Sequence, residues 1–150
     1  MKLQLLMVVL IIVKLILNSK ITLKKHLFMV FLLKLNFVLK IKTILEKNGQ
    51  IISNTYNIVG NNITYLEDDT KVSIKITTQV EITRENKDYI LNLLFINKKH
   101  TNANLVLKEN NYKLNLELFT NDLLITEEKI IINYTLNDEV IKFTLIKEVL

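Results

Sequence analysis

Apolar and polar residues alternate with a period of two from Val38 to the end of the chain, and this pattern constrains the fold more than any other feature. It is clearest over residues 70–83 and recurs over 112–118, 130–136 and 141–145. Because successive side chains of a strand point to opposite faces, strict alternation predicts strands with one face on a core and the other in water. In 70–83 the core face carries Val72, Ile74, Ile76, Val80 and Ile82.

Turn signals separate these runs. Asn48-Gly49 predicts a type I′ hairpin, since both central positions of that turn need a positive φ. Further turns are predicted at 60–62, 84–87, 97–102, 110–111 and 137–139, where Asn often takes the place of Gly because it tolerates the left-handed region. Residues 89–96 are apolar on both faces and predict a central strand, or one covered by the N-terminal extension.

About eight strands follow one another with short turns and no helical pattern between them, which argues against βαβ units and a parallel sheet. The sequence therefore predicts an all-β, antiparallel, up-and-down barrel over residues 38–150, because closure removes exposed sheet edges. The skewed composition, in which Ile, Leu, Lys and Asn supply 85 of 150 residues, is typical of an AT-rich genome.

Residues 1–37 form an apolar, Lys-punctuated extension with three interpretations. Residues 3–13 form an uncharged apolar run, which extends to residue 17 if Lys14 is tolerated. Residues 3–17 could be a membrane anchor, although they are fewer than the roughly 20 residues that span a bilayer. An amphipathic helix is the second interpretation, although the lysines mark no clean polar face. The third, which we favour, is a start codon assigned too early, with Met29 as the true initiator.

Charge and composition limit the chemistry. Residues 1–45 carry a net charge of +8 and residues 46–150 a net charge of −3, so the barrel has no basic footprint for nucleic acid. The chain has no Cys, which excludes thiolate metal ligands and cysteine nucleophiles. Because it also lacks phosphate-cradle, nucleophile-elbow and zinc-helix motifs, we predict no cofactor, no metal and no enzymatic activity.

The region from Leu39 to Val149 resembles a YwiB-like family of small bacterial proteins. The resemblance rests on 39–42, 70–76, 80–84, Phe95 with 98–100, 112–120 and 132–136 in this order. Glu109-Asn110-Asn111 stands where the family usually has a Gly in the turn. The resemblance implies a calycin-like (lipocalin-like) barrel in the bacterial cytoplasm and brings no established activity.

Arg84, the only arginine, is the leading candidate site residue and takes the position of a recurrent Arg of that family. A guanidinium at a barrel mouth could anchor a carboxylate or phosphate, whereas the plain alternative is an ion pair with Glu85 or Asp88 in a solvated turn. His100, in a predicted basic loop, and Tyr112, at the start of a predicted strand, complete the candidate ligand-binding set.

Two other groups have plainer interpretations. Glu67-Asp68-Asp69 could do acid–base chemistry if burial separated the pKa values of its carboxyl groups, but three consecutive acids on a loop are expected to stay ionised in water. The five tyrosines could line a ligand cavity, although filling the core is the simpler role: Tyr56, Tyr65, Tyr89, Tyr112 and Tyr134.

The sequence thus predicts a small barrel that acts as a non-catalytic binding or interaction module for a small, partly apolar or anionic ligand. The alternative is a surface-displayed domain anchored in a membrane through residues 3–17. A third interpretation is a structural protein that oligomerises through an open sheet edge. Whether the barrel is packed or hollow does not follow from the sequence.

Overall fold

The computed structural model describes residues 38–59 and 62–149, which form ten β-strands. They are β1 (Val38–Lys47), β2 (Gln50–Val59), β3 (Ile63–Glu67), β4 (Thr70–Ile76), β5 (Val80–Glu85), β6 (Tyr89–Phe95), β7 (His100–Leu107), β8 (Tyr112–Ile125), β9 (Lys129–Leu136) and β10 (Glu139–Val149). Residues 1–37 lie outside the described residues, and so do the membrane anchor predicted at 3–17 and the initiator predicted at Met29. Residues 60 and 61 of the predicted turn at 60–62 also lie outside them. No helix in the described part of the chain is long and apolar enough to cross a membrane.

All ten strands belong to one sheet in the order β2-β1-β10-β9-β8-β7-β6-β5-β4-β3, and every neighbouring pair is antiparallel. The sheet is a meander from β3 to β10 that continues into β1 and β2, and it curls into a nearly closed barrel with β2 and β3 as its edges. The predicted all-β antiparallel barrel is therefore confirmed, with ten strands in place of about eight. β6 lies inside the sheet, as its two apolar faces predict.

The strands beyond the predicted eight lie in segments whose polar residues are typical of turns. β3 has only five residues, and β7 begins at His100, inside the stretch predicted as the turn 97–102. Asn102 and Asn104 are exposed while Ala103 between them is fully buried, so β7 alternates like the other strands. The prediction that His100 lies in a loop is therefore wrong. Asn residues are common in turns, so a strand whose solvent face carries Asn resembles a turn in sequence.

The segment 70–83, predicted as one continuous alternating run, is a hairpin of β4 and β5 that turns at 77–79. Ile74 pairs with Ile82, and Ile76 pairs with Val80. Because the turn has three residues, the even-numbered positions of β4 and of β5 lie on the same face of the sheet. The apolar residues of both strands therefore still face the core. Thr78, a polar residue where the alternation calls for an apolar one, is the sequence signal of this turn.

Positive φ angles confirm the predicted role of Asn in the turns. Asn48 and Gly49 have φ values of 50° and 74°, as a type I′ turn requires. Asn111 (54°) and Asn137 (49°) are also left-handed. Asn thus supplies the backbone geometry that Gly provides in most proteins, and the β7–β8 hairpin keeps a left-handed residue despite the departure from the family pattern at 109–111.

The middle of the barrel is filled with side chains. The largest fully buried ones are Phe95, Ile41, Leu118, Ile130, Ile132, Leu145, Val72, Val80 and Thr120. They come from seven strands around the barrel, so each strand contributes its inward row to one core. Thr120 is the exception, because its hydroxyl oxygen Oγ1 is buried and has no hydrogen-bond partner in the described part of the chain.

We expect Thr120→Val to raise the free energy of unfolding by about 1 kcal/mol, because valine has nearly the same shape and removes an unsatisfied buried hydroxyl. Urea unfolding followed by circular dichroism measures the change. Thr101→Val is the matched control: the Thr101 hydroxyl donates to the Leu94 carbonyl at 2.6 Å, so its loss should lower stability by a similar amount. Equal destabilisation by both variants would show that the Thr120 hydroxyl is satisfied.

Candidate functional site

Arg84 lies on β5 and faces the barrel interior, because it continues the inward row of buried Val80 and Ile82. Its Nη2 atom is 2.5 Å from Oε2 of Glu67, and 31% of each side chain is exposed. That Glu67 oxygen is buried, and the Arg84 guanidinium is its polar contact. The pair therefore faces inward, yet solvent reaches it.

The predicted partners of Arg84, Glu85 and Asp88, are wrong. Glu85 follows Arg84 in the strand, so it points outward, and its Oε1 accepts from Lys108 Nζ at 2.8 Å. Glu67 is also not the solvated loop residue that its acidic neighbours suggest, since it is the last residue of β3. β4 joins the two partners, because Val72 pairs with Tyr65 on one side and with Arg84 on the other.

The charge of Arg84 is firmly held. Burial alone would lower its pKa, but the negative charge and hydrogen bonding of Glu67, with a further contribution from the Tyr89 hydroxyl, outweigh burial and raise the pKa of Arg84. Tyr89 begins β6 next to the turn after β5, on the inward face. The guanidinium therefore stays protonated and carries both a carboxylate and a phenol as neighbours.

Three more tyrosines surround this pair. Tyr56 on β2 stacks on Tyr65 on β3, with ring centroids 4.2 Å apart and planes at 24°. Tyr134 on β9 packs edge-on against Phe95, with ring centroids 4.9 Å apart, and the positive charge of Arg84 acts on the Tyr134 hydroxyl. We call these residues the Arg84 cluster: Arg84, Glu67, Tyr56, Tyr65, Tyr89 and Tyr134.

The two buried tyrosines stay neutral. Burial raises the pKa of Tyr134 to about 12, although Arg84 opposes the change. Burial and then the charge of Glu67 raise the pKa of Tyr65 well above 10.0. The cluster thus presents a cation, an anion and uncharged phenols at neutral pH, with no net charge of its own.

These shifts predict alkaline destabilisation. A tyrosine whose pKa is higher in the native state holds its proton after the unfolded chain has lost it, so stability is intact below pH 10 and falls as the pH rises through about 10 to 12. At about pH 11, Tyr134 alone should cost roughly 1.4 kcal/mol. Urea unfolding of the wild type and of Tyr134→Phe measures this. The variant should lose less stability above pH 10, and parallel profiles would contradict the assignment.

The inward face is not fully covered where the barrel ends beside this cluster. The turns at 48–49, 86–88 and 108–111 lie at the same end of the antiparallel sheet. The inward-pointing residues nearest them remain exposed: Ile52 (55%), Leu107 (38%), Tyr112 (55%) and Leu114 (38%). Because β8 pairs with β9 only from Leu118 onward, the β7–β8 hairpin extends past its neighbour. We call this apolar rim with the Arg84–Glu67 pair the Arg84 mouth.

The structure brings two of the three predicted site residues to the same face. Tyr112 is part of the Arg84 mouth, as its parity with buried Leu118 shows. His100 is not, because it is paired with outward-facing Phe119, and the two rings contact each other at a tilt of 43° with centroids 4.5 Å apart. Its Nδ1 is 3.1 Å from Glu117 Oε1 on the outer surface, and 68% of the side chain is exposed.

A larger cleft lies away from the cluster. It has a volume of about 770 Å³ and is open to solvent near the start of β1 and the β4–β5 turn. Its walls mix inward-facing Leu39, Ile58 and Ile63 with outward-facing Lys75 and Glu81. Because its walls come from both faces of the sheet and include none of the residues of the Arg84 cluster, this cleft is separate from that cluster.

The crystal structure of ywiB protein from Bacillus subtilis has a similar architecture. Its TM-score with this chain is 0.53 at 18% identity, and the match covers 75% of this chain and 90% of that chain. This chain resembles ywiB in fold. No protein-family profile matches the sequence, and no curated protein matches it. The likeness supports the resemblance drawn from the strand patterns, and at this identity it concerns the fold alone.

Proposed function

We propose that this barrel is a non-catalytic binding module that holds a small, partly apolar ligand at the Arg84 mouth. The observation that carries the proposal is the combination of an inward-facing ion pair that solvent can reach with a rim of exposed, inward-facing apolar side chains. Binding sites of this kind pair apolar walls with a few polar groups that orient the ligand. The fold likeness to ywiB supports the barrel part of this proposal. The calycin-like class and a cytoplasmic location belong to the proposal as what the sequence resemblance to the YwiB-like family implies.

The polar end of the ligand would meet Arg84. A guanidinium has five N–H donors, and Glu67 and Tyr89 occupy only part of this capacity, so a ligand oxygen can accept from the remainder. Glu67 already balances the charge of Arg84, which favours a ligand with a single small polar or anionic group over a highly charged one. The apolar part would cover Ile52, Leu107 and Leu114.

A non-catalytic role agrees with the protonation states of the cluster. Tyr65 and Tyr134 have raised pKa values and stay protonated at neutral pH, so neither is poised as a base or a nucleophile. Glu67 keeps the neighbouring Arg84 guanidinium in its charged form by raising its pKa. Such a site binds and orients a ligand without moving a proton.

We expect the fluorescent apolar anion anilinonaphthalene sulfonate to bind the wild-type chain and Arg84→Met to weaken its binding about tenfold or more, since a charge-assisted hydrogen bond contributes about 1.5–3 kcal/mol. Fluorescence titration at fixed salt measures the affinity. Nile red, which is uncharged, should bind both forms alike.

Lys108→Met is the matched control, because Lys108 carries the same charge but pairs with Glu85 on the outer face. Its affinity for the anionic probe should equal that of the wild type. Equal weakening by Lys108→Met and Arg84→Met, or no saturable binding by the wild type, would overturn the proposed site.

A further inference from the structure

The barrel is not sealed between its two edge strands. β2 has ten residues and forms a backbone ladder with β1 alone among the described strands, although β3 follows it in sequence. β2 and β3 meet through side chains, where Tyr56 stacks on Tyr65 and where Ile58 and Ile63 are buried. Towards the start of β2 this cover ends, and residues 50–53 are all exposed.

The uncovered residues 50–53, which we call the β2 edge, have the properties of a strand that pairs again. Ile51 and Ile52 are 69% and 55% exposed, one on each face of the sheet. Every second residue of an edge strand also directs an unpaired N–H and C=O outward. Natural edge strands are usually blocked by a charge, a proline or a bulge, and β2 has none of these over Gln50–Val59.

We propose that the β2 edge pairs with the β2 edge of a second copy of this chain, antiparallel and about a two-fold axis at Ile52. Two observations favour a second copy over another polypeptide. β2 carries no charged side chain, so two copies meet without like-charge repulsion, whereas it offers a charged partner no attraction. An axis at Ile52 places Ile52 opposite Ile52 on one face and brings the two Ile51 side chains into diagonal contact on the other, so four exposed apolar side chains are covered at once.

The dimer should be weak and reversible, because a contact of this length buries far less than the roughly 1,200 Å² of a standard interface. Sedimentation velocity of the full chain should therefore show a dimer whose share grows with protein concentration. Ile51→Lys together with Ile52→Lys should weaken the association about tenfold or more, since the two lysines at position 52 would lie opposite each other and the two at position 51 would be diagonal neighbours. Val140→Lys is the matched control, because Val140 is 65% exposed on β10, away from the sheet edge.

Cross-linking tests the two-fold directly. The chain has no Cys, so Ile52→Cys can form a disulfide only with its own counterpart in a second copy. Mild oxidation should give a covalent dimer of Ile52→Cys and none of Val140→Cys. A wild type that stays monomeric at every concentration, an association that the two lysines leave unchanged, or equal cross-linking at both positions would overturn the proposal. So would a monomer that binds an added extended peptide along the β2 edge.

Discussion

Phe95→Ala is expected to lower the free energy of unfolding by about 3–5 kcal/mol, the largest change that any single truncation in this barrel should cause. Phe95 lies on β6 in the middle of the sheet, is fully buried and meets Tyr134 edge-on at 4.9 Å. Truncation of its side chain removes a large apolar surface from the core and leaves a cavity that the surrounding hydrogen-bonded strands cannot fill. Equilibrium unfolding in urea measures the change.

Leu124→Ala is the control for this prediction. Leu124 is a large apolar residue of the same sheet, but it lies on the outer face and is 46% exposed. Its truncation should change stability by less than about 0.5 kcal/mol. Comparable losses in the two variants would show that Phe95 does not lie in a packed interior.

The second large effect concerns the Arg84–Glu67 pair. Arg84→Met alone should lower stability by about 2 kcal/mol, because it leaves the Glu67 carboxylate half-buried without its partner. This is less than the roughly 3–5 kcal/mol of a fully buried pair, since 31% of each side chain is exposed to solvent. Arg84→Met with Glu67→Leu should recover most of the loss, because no unpaired charge then remains.

The double-mutant cycle for this pair has an internal reference on the outer face. Lys108 and Glu85 are 2.8 Å apart and well exposed, so the coupling energy of Lys108→Met with Glu85→Gln should stay below about 1 kcal/mol. The Arg84–Glu67 coupling should be clearly larger. Equal coupling energies would mean that Arg84 is an ordinary surface residue, as the simpler interpretation of its sequence context holds.

Alternation alone was enough to predict the fold class and most of the core. Val72, Val80 and Ile132 lie on apolar faces read from the sequence, and all three are buried. The turn at Asn48-Gly49 followed from the φ requirement of its type. Local patterns succeed here because parity and turn geometry are set within a few residues of the chain.

The Arg84 cluster could not be assembled in the same way. The alternation of residues in β3 does place Glu67 on the same face as Ile63 and Tyr65. Extending the alternating pattern to residue 67 would therefore have assigned Glu67 to the strand and only Asp68 and Asp69 to the turn. The contact between Glu67 and Arg84, however, depends on the register of β3, β4 and β5. The proximity of Tyr134 to Arg84 depends on the curvature that brings β9 and β5 to the same interior. Such contacts join residues far apart in sequence, and no local pattern encodes them.

The uncovered rim has a similar origin. Leu114 and Leu116 carry the same alternation, yet Leu114 is exposed because β9 begins to pair with β8 only at Leu118. Sequence periodicity gives the face of a side chain, whereas its burial depends on which strand lies opposite. The three-dimensional structure was therefore needed to show that Arg84 and Tyr112 both lie on the inward face of the sheet and that His100 lies on the outer face.

Nuclear magnetic resonance of the Arg84 guanidinium tests the central claim most directly. Because Arg84 is the only arginine, selectively labelled arginine gives a single side-chain N–H signal that needs no assignment. We predict that this signal is protected from solvent exchange, shows contacts to tyrosine ring protons and shifts when anilinonaphthalene sulfonate is added. A rapidly exchanging signal with no aromatic contacts, unmoved by the probe, would contradict an inward-facing Arg84 and the binding site built around it.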